Sequence, residues 1–429
     1  FSFSVNLEGI ELSSGTTIDG STITTTLGEG QSLTINGITD GDTAAASLAD
    51  GGIVISQASS ITSLNLTLDD VGPDTSIANE NVFIDVAGTG ASTMNVTSGN
   101  DSFVVISNSG GALTSLGLLG SGTIALGTLP TSVTNVNGAS AAANLTLTIS
   151  SGGTNTIKGG TGNDAITLTG GVNDVDGGDG DDTITTSTNL VSGDRINGGN
   201  GTDTLEVIHT GLVTVPSAAN LTSIENVLLT DTVHQSLDFS LLTSITGIEL
   251  QAGTTVNGAT ITTTLGANQT LTLDSITDGD TATASLADGG IKIAQANSIT
   301  SLDLTLDDIG PAAANTNTNV VIDVAGTGVA TANITSANTT FVVLENSGNT
   351  ISTLNLTGSG TLGIQGTLAN SITTINGTNS SANLTLTSGT GDDTITGGSG
   401  NDNITLTGGT NNVTGGNGND VIILSTGND

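Results

Sequence analysis

The sequence predicts an all-β fold, a parallel β-helix or β-roll solenoid with two tandem homologous modules, and three observations lead to this prediction. Val, Ile and Leu alternate with Thr, Ser and Asn in short runs, which is typical of strands with one buried face. These runs recur at intervals of about 9 to 12 residues. Aromatic residues make up only 1% of the chain while Gly numbers 62, so a thick globular core is excluded.

The two modules are evident from an internal duplication. Residues 9–73 align without gaps on residues 247–311, and 48 of these 65 positions are identical. The similarity continues to the glycine-rich end of each copy. We therefore predict module one at 1–190 with a roll at 150–190, a connector at 191–238 with a further glycine-rich turn at 198–205, and module two at 239–429 with a roll at 389–429.

Each module is predicted to be a stack of coils. Two short strands and two turns make a coil of roughly 20 residues, which buries its apolar layer only against the coils before and after it. An array of immunoglobulin-like sandwiches is the competing architecture. It would show modules of about 100 residues and longer strands, and the sequence has neither.

The charge balance restricts the partners. Three Lys and Arg residues stand against 40 Asp and Glu residues, a net charge of −37, which excludes nucleic acid or an anionic membrane surface as the main partner. No apolar run is long enough for a membrane-spanning helix, so we expect no membrane insertion. Halophilic adaptation is an alternative reason for the acidity, but only 10% of residues are charged and the acids cluster in glycine-rich turns. A cation is the expected partner.

The sequence contains no recognisable set of catalytic residues. The chain has two His, no Cys and no G-x-S-x-G nucleophile motif. We therefore expect a protein that is not an enzyme.

A nine-residue motif carries the chemistry. Residues 159–167 read G-G-T-G-N-D-A-I-T and residues 177–185 read G-G-D-G-D-D-T-I-T, both of the form G-G-x-G-x-D-x-U-x with U apolar. The same motif recurs at 198–205, 397–405 and 415–423. Because one motif length makes one turn and one short strand, two motif lengths complete a coil. The Asp residues of motifs that lie one coil apart then stack on one edge at a spacing of about 4.8 Å.

Such a stack favours a divalent cation. Two unneutralised carboxylates at that spacing would repel by roughly 3 to 4 kcal/mol at an effective dielectric constant of about 20. Glycines permit the positive φ angles that turn backbone carbonyls inward. Carboxylate and carbonyl oxygens together supply the six to eight ligands that Ca²⁺ prefers. Metal-free Asx turns are the alternative interpretation of the same residues.

The motifs resemble the repeats-in-toxin (RTX) calcium-binding β-roll of secreted toxins, proteases, large adhesins and some bacterial surface-layer proteins. The resemblance covers residues 150–205 and 389–429. It implies that the motif aspartates are Ca²⁺ ligands, namely Asp164, Asp182, Asp203, Asp402 and Asp420. It also implies carbonyl ligands in the turns around Gly160, Gly162, Gly178, Gly180, Gly398, Gly400, Gly416 and Gly418.

The opposite edge of the coils departs from the motif. Its equivalent positions are Asn155 and Asn173 in module one, where we expect weak calcium binding or none, because Asn offers only a neutral oxygen. In module two they are Asp393, Asn411 and Asp429. Asp393 and Asp429 are therefore additional candidate ligands.

These patterns lead to an expected function. We expect an extracellular structural protein that binds Ca²⁺ and self-assembles into a surface layer, sheath or matrix filament, with copies of itself and cell-surface polysaccharide as partners. The resemblance implies type I secretion and folding outside the cell, where calcium is abundant. The alternatives are the repetitive stalk of a large RTX adhesin and the accessory roll of a secreted hydrolase. Because the chain begins at Phe1 without a signal-peptide pattern, we expect a processed product or a segment of a longer periodic protein.

Overall fold

The structure is a computed structural model. The residues that it describes are 8–13, 17–18, 22–40, 52–72, 82–187, 190–191, 193–208, 220–230, 237–251, 255–256, 260–278, 290–295, 299–310, 320–424, 426 and 429. All regular secondary structure in these residues is β-strand, and no helix there is long and apolar enough to cross a membrane.

The strands are short. Up to residue 230 they are, in chain order, β1 (Gly9–Leu12), β2 (Thr17–Ile18), β3 (Thr22–Leu27), β4 (Ser32–Asn36), β5 (Thr39–Asp40), β6 (Gly52–Gln57), β7 (Ser63–Asp69), β8 (Val82–Val86), β9 (Thr93–Ser98), β10 (Ser102–Ser107), β11 (Ser115–Gly120), β12 (Ile124–Thr128), β13 (Asn135–Ala141), β14 (Leu145–Ile149), β15 (Thr154–Gly160), β16 (Ala165–Leu168), β17 (Val172–Asp179), β18 (Thr183–Thr186), β19 (Arg195–Asn200), β20 (Thr204–Val207), β21 (Leu221–Thr222) and β22 (Asn226–Leu229).

Beyond residue 230 the strands are β23 (Leu237–Asp238), β24 (Gly247–Leu250), β25 (Thr255–Val256), β26 (Thr260–Leu265), β27 (Thr270–Asp274), β28 (Thr277–Asp278), β29 (Gly290–Gln295), β30 (Ser301–Asp307), β31 (Val320–Val324), β32 (Thr331–Ser336), β33 (Thr340–Glu345), β34 (Thr353–Gly358), β35 (Leu362–Thr367), β36 (Thr374–Asn376), β37 (Leu384–Thr387), β38 (Thr394–Thr396), β39 (Asn403–Thr405), β40 (Asn412–Thr414) and β41 (Val421–Ile423).

The chain divides into two compact units. Unit one contains Phe1–Glu206 and Ala219–Ile224, and unit two contains Val207–Ala218 and Glu225–Asp429. The predicted boundaries of the modules and the connector stay predictions.

Each unit is a parallel β-solenoid in which the chain alternates between two sheets. In unit one the first sheet has the strand order β1-β4-β7-β9-β11-β13-β15-β17-β19-β21. Its second sheet contains β6, β8, β10, β12, β14, β16 and β18, each paired in parallel with its neighbours. In unit two the first sheet runs from β24 through β27, β30, β32, β34, β36 and β38 to β40. Its second sheet runs from β23 to β41 in the order β23-β26-β29-β31-β33-β35-β37-β39-β41.

The core is a narrow stack of aliphatic side chains. On β7, for example, Leu64, Leu66 and Leu68 are almost fully buried, while the residues between them face outward. Parallel, in-register pairing places each buried residue on the equivalent residue of the next coil, as where Leu66 lies opposite Val96. Each coil therefore buries its apolar layer against its neighbours, as the alternating sequence predicts.

The solenoid prediction is confirmed, and the sandwich alternative is wrong. The period-nine ladder of the first roll alternates between the sheets as expected. Ile157 pairs with Val175 in the first sheet, and Ile166 pairs with Ile184 in the second. One full coil therefore takes two motif lengths here, which brings equivalent motif positions onto the same edge.

Candidate metal centre

In unit one the motif aspartates form a stack along one edge. Asp164, Asp182 and Asp203 are all at most 2% exposed. Oδ1 of Asp182 accepts the backbone N–H of Asp164 at 2.8 Å, and Oδ1 of Asp203 accepts that of Asp182 at 2.8 Å. Each carboxylate therefore reaches back one coil to the aspartate before it, which places the three carboxyl groups on successive rungs of the solenoid.

The glycines of the motif make this close stacking possible. Gly178 has a φ of 116°, and a Cβ there would overlap the carbonyl oxygen of Gly160 in the preceding coil. A Cβ on Gly177 would overlap Oδ2 of Asp182. Backbone carbonyls and aspartate carboxylates thus occupy the space that side chains would fill, and they lie together at the turn.

Unit two repeats the arrangement. Oδ1 of Asp402 accepts the N–H of Leu384 at 2.9 Å, and its Oδ2 accepts the N–H of Gly398 at 2.8 Å. Oδ1 of Asp420 accepts the N–H of Asp402 at 3.0 Å. A Cβ on Gly416 or Gly418 would overlap the carbonyl oxygen of the equivalent glycine one coil earlier, Gly398 or Gly400.

In unit one the opposite edge is held together by hydrogen bonds between amides and a carboxylate. Nδ2 of Asn155 donates to Oδ1 of Asn173 at 2.9 Å. The N–H of Asn173 donates to Oδ1 of Asp194 at 2.7 Å, and that of Val191 donates to Oδ2 of Asp194 at 2.6 Å. Both oxygens of this buried carboxylate therefore already accept hydrogen bonds.

Asp194 was missed by sequence reasoning. It lies 21 residues beyond Asn173, the same separation as between Asp182 and Asp203. Both edges share this longer coil, so the equal spacing of the two pairs was the signal that could have identified it.

In unit two the opposite edge contains a buried carboxylate without hydrogen bonds to its oxygens. Asp393 is 2% exposed, and neither of its side-chain oxygens accepts a hydrogen bond. Burial raises the pKa of Asp393, and the Ser388 hydroxyl lies close enough to lower it in part. The hydrogen bond of this hydroxyl, however, goes to the carbonyl oxygen of Gly389 at 3.0 Å. On the next coil Oδ1 of Asn411 accepts the N–H of Asp393 at 2.9 Å, and Nδ2 of Asn411 donates to Oδ1 of Asp429 at 2.7 Å.

A second, exposed ladder runs beside the buried aspartates and was also missed. The residue that precedes Asp164, Asp182 or Asp402 uses its side-chain oxygen to accept a backbone N–H one coil later. Asn163 accepts from Asp181 at 3.0 Å, and Asp181 accepts from Thr202 at 2.8 Å. In unit two Asn401 accepts from Asn419 at 2.8 Å. The preference for Asn or Asp at this variable motif position was the available signal.

The electrostatics of the buried stack are unfavourable for bare carboxylates. Burial raises the pKa of Asp164 to about 6, against the lowering effect of the N–H groups of Leu145 and Gly160. Burial, together with the charges of Asp164, Asp203 and Asp181, raises the pKa of Asp182 to about 7. Burial also raises the pKa of Asp393. In each of these groups the charged form is therefore less favourable than in an ordinary aspartate, and a positive charge nearby would stabilise it.

The residues present fit a hard cation. Oδ2 of Asp182 is buried and accepts no hydrogen bond. The glycine turn around it is lined by carbonyl oxygens, which are acceptors as well. Among the described residues no group of three or more His, Cys, Asp or Glu side chains could hold a metal. The donors at the motif edge are carboxylate and backbone carbonyl oxygens, an all-oxygen set of the type that suits Ca²⁺.

Comparison with known protein families agrees with this geometry. The RTX calcium-binding nonapeptide repeat matches four segments, residues 149–184, 193–206, 385–413 and 405–429. These are RTX calcium-binding repeats. The matched RTX segments contain the buried aspartates of both units, and RTX nonapeptide repeats bind Ca²⁺. They make up less than a quarter of the chain, and no curated protein matches it.

The RTX repeats place the chain in a known context. RTX repeat proteins are typically secreted, and the RTX β-solenoid is a structural calcium-binding fold.

Proposed function

We propose that this RTX protein is an extracellular structural protein at the cell surface, without catalytic activity, that binds Ca²⁺ and assembles with copies of itself into a surface layer, sheath or matrix filament. The observation that carries the proposal is the buried carboxylate stack at the motif edge of unit one, where burial raises the pKa of Asp164 to about 6 and that of Asp182 to about 7. Successive coils are joined there through charged groups whose burial is unfavourable without a cation. In unit two Asp402 and Asp420 repeat the hydrogen-bonded stack. A cation at this edge would therefore set the stiffness of the coil stack.

In this proposal Asp164, Asp182 and Asp203 hold Ca²⁺ in unit one, and Asp402 and Asp420 hold it in unit two. The carbonyls of the turns at Gly160, Gly162, Gly178, Gly180, Gly398, Gly400, Gly416 and Gly418 complete the ligand sets. Bound calcium supplies positive charge between carboxylates of neighbouring coils. The glycine turns hold the carboxylates in place, and burial excludes water from them.

Asp393 is proposed as a ligand on the opposite edge of unit two, with Asp429 on the adjoining coil. Both side-chain oxygens of Asp393 lack a hydrogen-bond partner, whereas both oxygens of Asp194 on the equivalent edge of unit one accept hydrogen bonds. An unpaired buried carboxylate costs several kcal/mol, about as much as a broken buried ion pair. A cation there removes this cost, whereas the edge of unit one has no such need.

Calcium removal tests the proposal. Because binding to the folded state alone is folding free energy, calcium-free protein is expected to lose part of its β-sheet circular dichroism and its large-particle sedimentation. Both should return when calcium is restored. An unchanged spectrum and particle size in excess EGTA would contradict the calcium-dependent fold, whereas calcium-dependent folding without particles would contradict self-assembly alone.

The repetitive stalk of a large adhesin is the second candidate function, favoured by the tandem duplication. Electron microscopy separates the two. Lattices or regular filaments formed by the isolated chain with calcium support the assembly protein, while single extended particles at all concentrations support the stalk. A cell-surface polysaccharide is a further proposed partner, and calcium-dependent pull-down with isolated cell walls tests it.

A further inference from the structure

The edge opposite the motif aspartates carries a directional series of hydrogen bonds in unit one. Asn155, Asn173 and Asp194 follow one another on successive coils, and each is at most 4% exposed. Nδ2 of Asn155 donates to Oδ1 of Asn173 at 2.9 Å, and Nδ2 of Asn173 donates to Oδ1 of Asp194 at 3.3 Å. We call these three side chains the amide ladder. Every bond in it points from the earlier coil to the later one.

The direction of the amide ladder is set at its end by Asp194. An ionised carboxylate only accepts hydrogen bonds, whereas an amide has one donor side and one acceptor side. Asn173 therefore turns its Nδ2 toward Asp194 and its Oδ1 toward the preceding coil. This orientation presents an acceptor to Asn155, and Asn155 meets it with its amide nitrogen.

The amide nitrogen of Asn155 lies among oxygen atoms. Besides Oδ1 of Asn173, the carbonyl oxygens of Ser151 and Gly170 lie 3.3 Å and 3.5 Å from this nitrogen. The partial positive charge of the NH₂ group thus faces three acceptors in a buried corner. Neutral carbonyl and amide oxygens turned toward one point are also ligands that a hard cation accepts.

In unit two the same direction meets a carboxylate. Asn411 occupies the position of Asn173 and donates its Nδ2 to Oδ1 of Asp429 at 2.7 Å. Its Oδ1 faces back and accepts the backbone N–H of Asp393 at 2.9 Å. Asp393 occupies the position of Asn155, and neither of its side-chain oxygens has a hydrogen-bond partner. Because Oδ1 of Asn155 accepts no hydrogen bond either, the two units differ at the nitrogen of this one amide.

From this comparison we infer that the amide nitrogen of Asn155 takes the place of a calcium ion, so that Asn or Asp at this one position decides whether the edge binds calcium. The inference rests on the proposed calcium binding and names the residue that controls it at this edge. The RTX match includes residues 149–184, but the residues on this edge of unit one do not fit calcium. Both oxygens of their single carboxylate, Asp194, already accept backbone N–H groups. The edge of unit one is therefore closed without a metal, and the edge of unit two requires one.

Exchanging the two residue types tests the inference. One variant carries Asp393→Asn and the other carries Asn155→Asp. Asp392→Asn is the control for the first, because Asp392 is the exposed neighbour of Asp393 and loses the same charge. Asn137→Asp is the control for the second, because it adds the same charge at an exposed position of β13 in the same sheet. Titration calorimetry on the full chain counts the bound calcium ions, and circular dichroism gives the melting temperature in EGTA.

Asp393→Asn is expected to bind about one calcium ion fewer than the wild type. It should also melt at a higher temperature in EGTA, because an amide donor then faces Oδ1 of Asn411. Asn155→Asp should melt at a lower temperature in EGTA, recover when calcium is added, and bind about one ion more. Both controls should keep the calcium count of the wild type.

Wild-type calcium counts in both exchange variants would overturn the inference and leave calcium at the motif edge intact. A higher melting temperature of Asp393→Asn with an unchanged count would also overturn it, because Asp393 would then hold a proton in place of calcium. If the wild type itself binds no calcium, the proposed calcium binding fails and this inference fails with it. If Asn155→Asp does not fold even in calcium, the calcium count of Asp393→Asn alone decides.

Discussion

At the residue scale, the edge opposite the motif aspartates differs between the two units and shows how a change from amide to carboxylate alters the role of a position. Nδ2 of Asn155 donates to Oδ1 of Asn173 at 2.9 Å, a hydrogen bond that a pair of ionised carboxylates cannot form. At the equivalent edge of unit two Asp393 has no hydrogen-bond donor to its side chain. Hydrogen bonds from amides therefore hold the edge of unit one without a cation, whereas a buried carboxylate without a donor, such as Asp393, is stabilised by one.

Replacing Asp182 by Asn should have opposite effects with and without calcium. With calcium we expect at least about tenfold weaker binding, because a charged ligand is lost. Without calcium the variant should melt at a higher temperature than the wild type, because the repulsion from Asp164 and Asp203 is removed. Calorimetry with calcium titration measures both quantities.

The matched control for this substitution is Asp181→Asn. Asp181 is exposed and accepts a hydrogen bond from Thr202 in the outer ladder. This variant should keep the calcium affinity of the wild type. Equal losses of affinity in the two variants would show that total charge, and not the buried site, governs binding.

The raised pKa values predict a pH dependence of the calcium-free fold. The pKa of Asp182 is about 7 and that of Asp164 about 6 in the folded chain, against 3.8 for ordinary aspartate. Between pH 3.8 and these raised pKa values the folded state binds more protons than the unfolded state. The free energy of unfolding therefore falls as the pH rises from about 4 to about 7. Melting temperatures in metal-free buffer across this range measure the effect. The double variant Asp164→Asn, Asp182→Asn should show a flatter profile, and a wild-type melting temperature that rises with pH would contradict the prediction.

At the element scale, a coil is a pair of short strands joined by turns, and at some corners only glycine fits. Gly120 and Gly358 occupy equivalent corners of the two units with φ of 110° and 114°, and a Cβ at either would overlap a backbone carbonyl of the preceding coil. The turns therefore determine how closely coils stack. The strands contribute the aliphatic layer, and neither is stable without its neighbours.

Gly178→Ala should disrupt the coil at the metal edge. The substitution combines an unfavourable φ of 116° with overlap on the Gly160 carbonyl, so we expect a loss of roughly 3 kcal/mol or more. Gly111→Ala is the control, because its φ of 73° is also positive but nothing lies within 4 Å of the added Cβ. It should cost only about 1 to 2 kcal/mol. Urea unfolding in calcium compares them, and similar losses would refute the close-approach argument.

At the scale of the whole molecule, the excess of acidic residues determines how the buried carboxylates can be neutralised. A chain with 40 acidic residues and three basic ones cannot neutralise its buried carboxylates by ion pairs with its own side chains. The neutralising charge must come from solution. This dependence couples folding to the ionic composition of the surroundings.

Magnesium should not replace calcium in supporting the fold. General screening of the negative charge would be the same for both divalent ions. A site of carboxylates and several backbone carbonyls suits the larger coordination sphere of Ca²⁺, whereas Mg²⁺ requires a tight octahedron and retains its water. Circular dichroism and sedimentation at equal concentrations of the two ions measure the difference. Equal recovery with magnesium would indicate screening in place of specific sites.

Much of this protein follows from its sequence because its regularity is local. Alternating apolar residues predict strands, and a motif period of nine predicts that Asp164 and Asp182 share an edge, since both depend only on the geometry of a short stretch of chain. The family of the repeats also follows from the motif itself.

The tertiary structure decided what depends on neighbouring coils. Only the coil stack shows that Asp194 closes the amide ladder of unit one and that Asp393 lies buried without a donor. Hydrogen-bond satisfaction and burial are properties of contacts between segments that lie a full coil apart in the sequence, and coils of unequal length determine which segments meet. The sequence by itself therefore determined the motif edges and their calcium chemistry, and the stacking of coils decided which carboxylates remain unpaired.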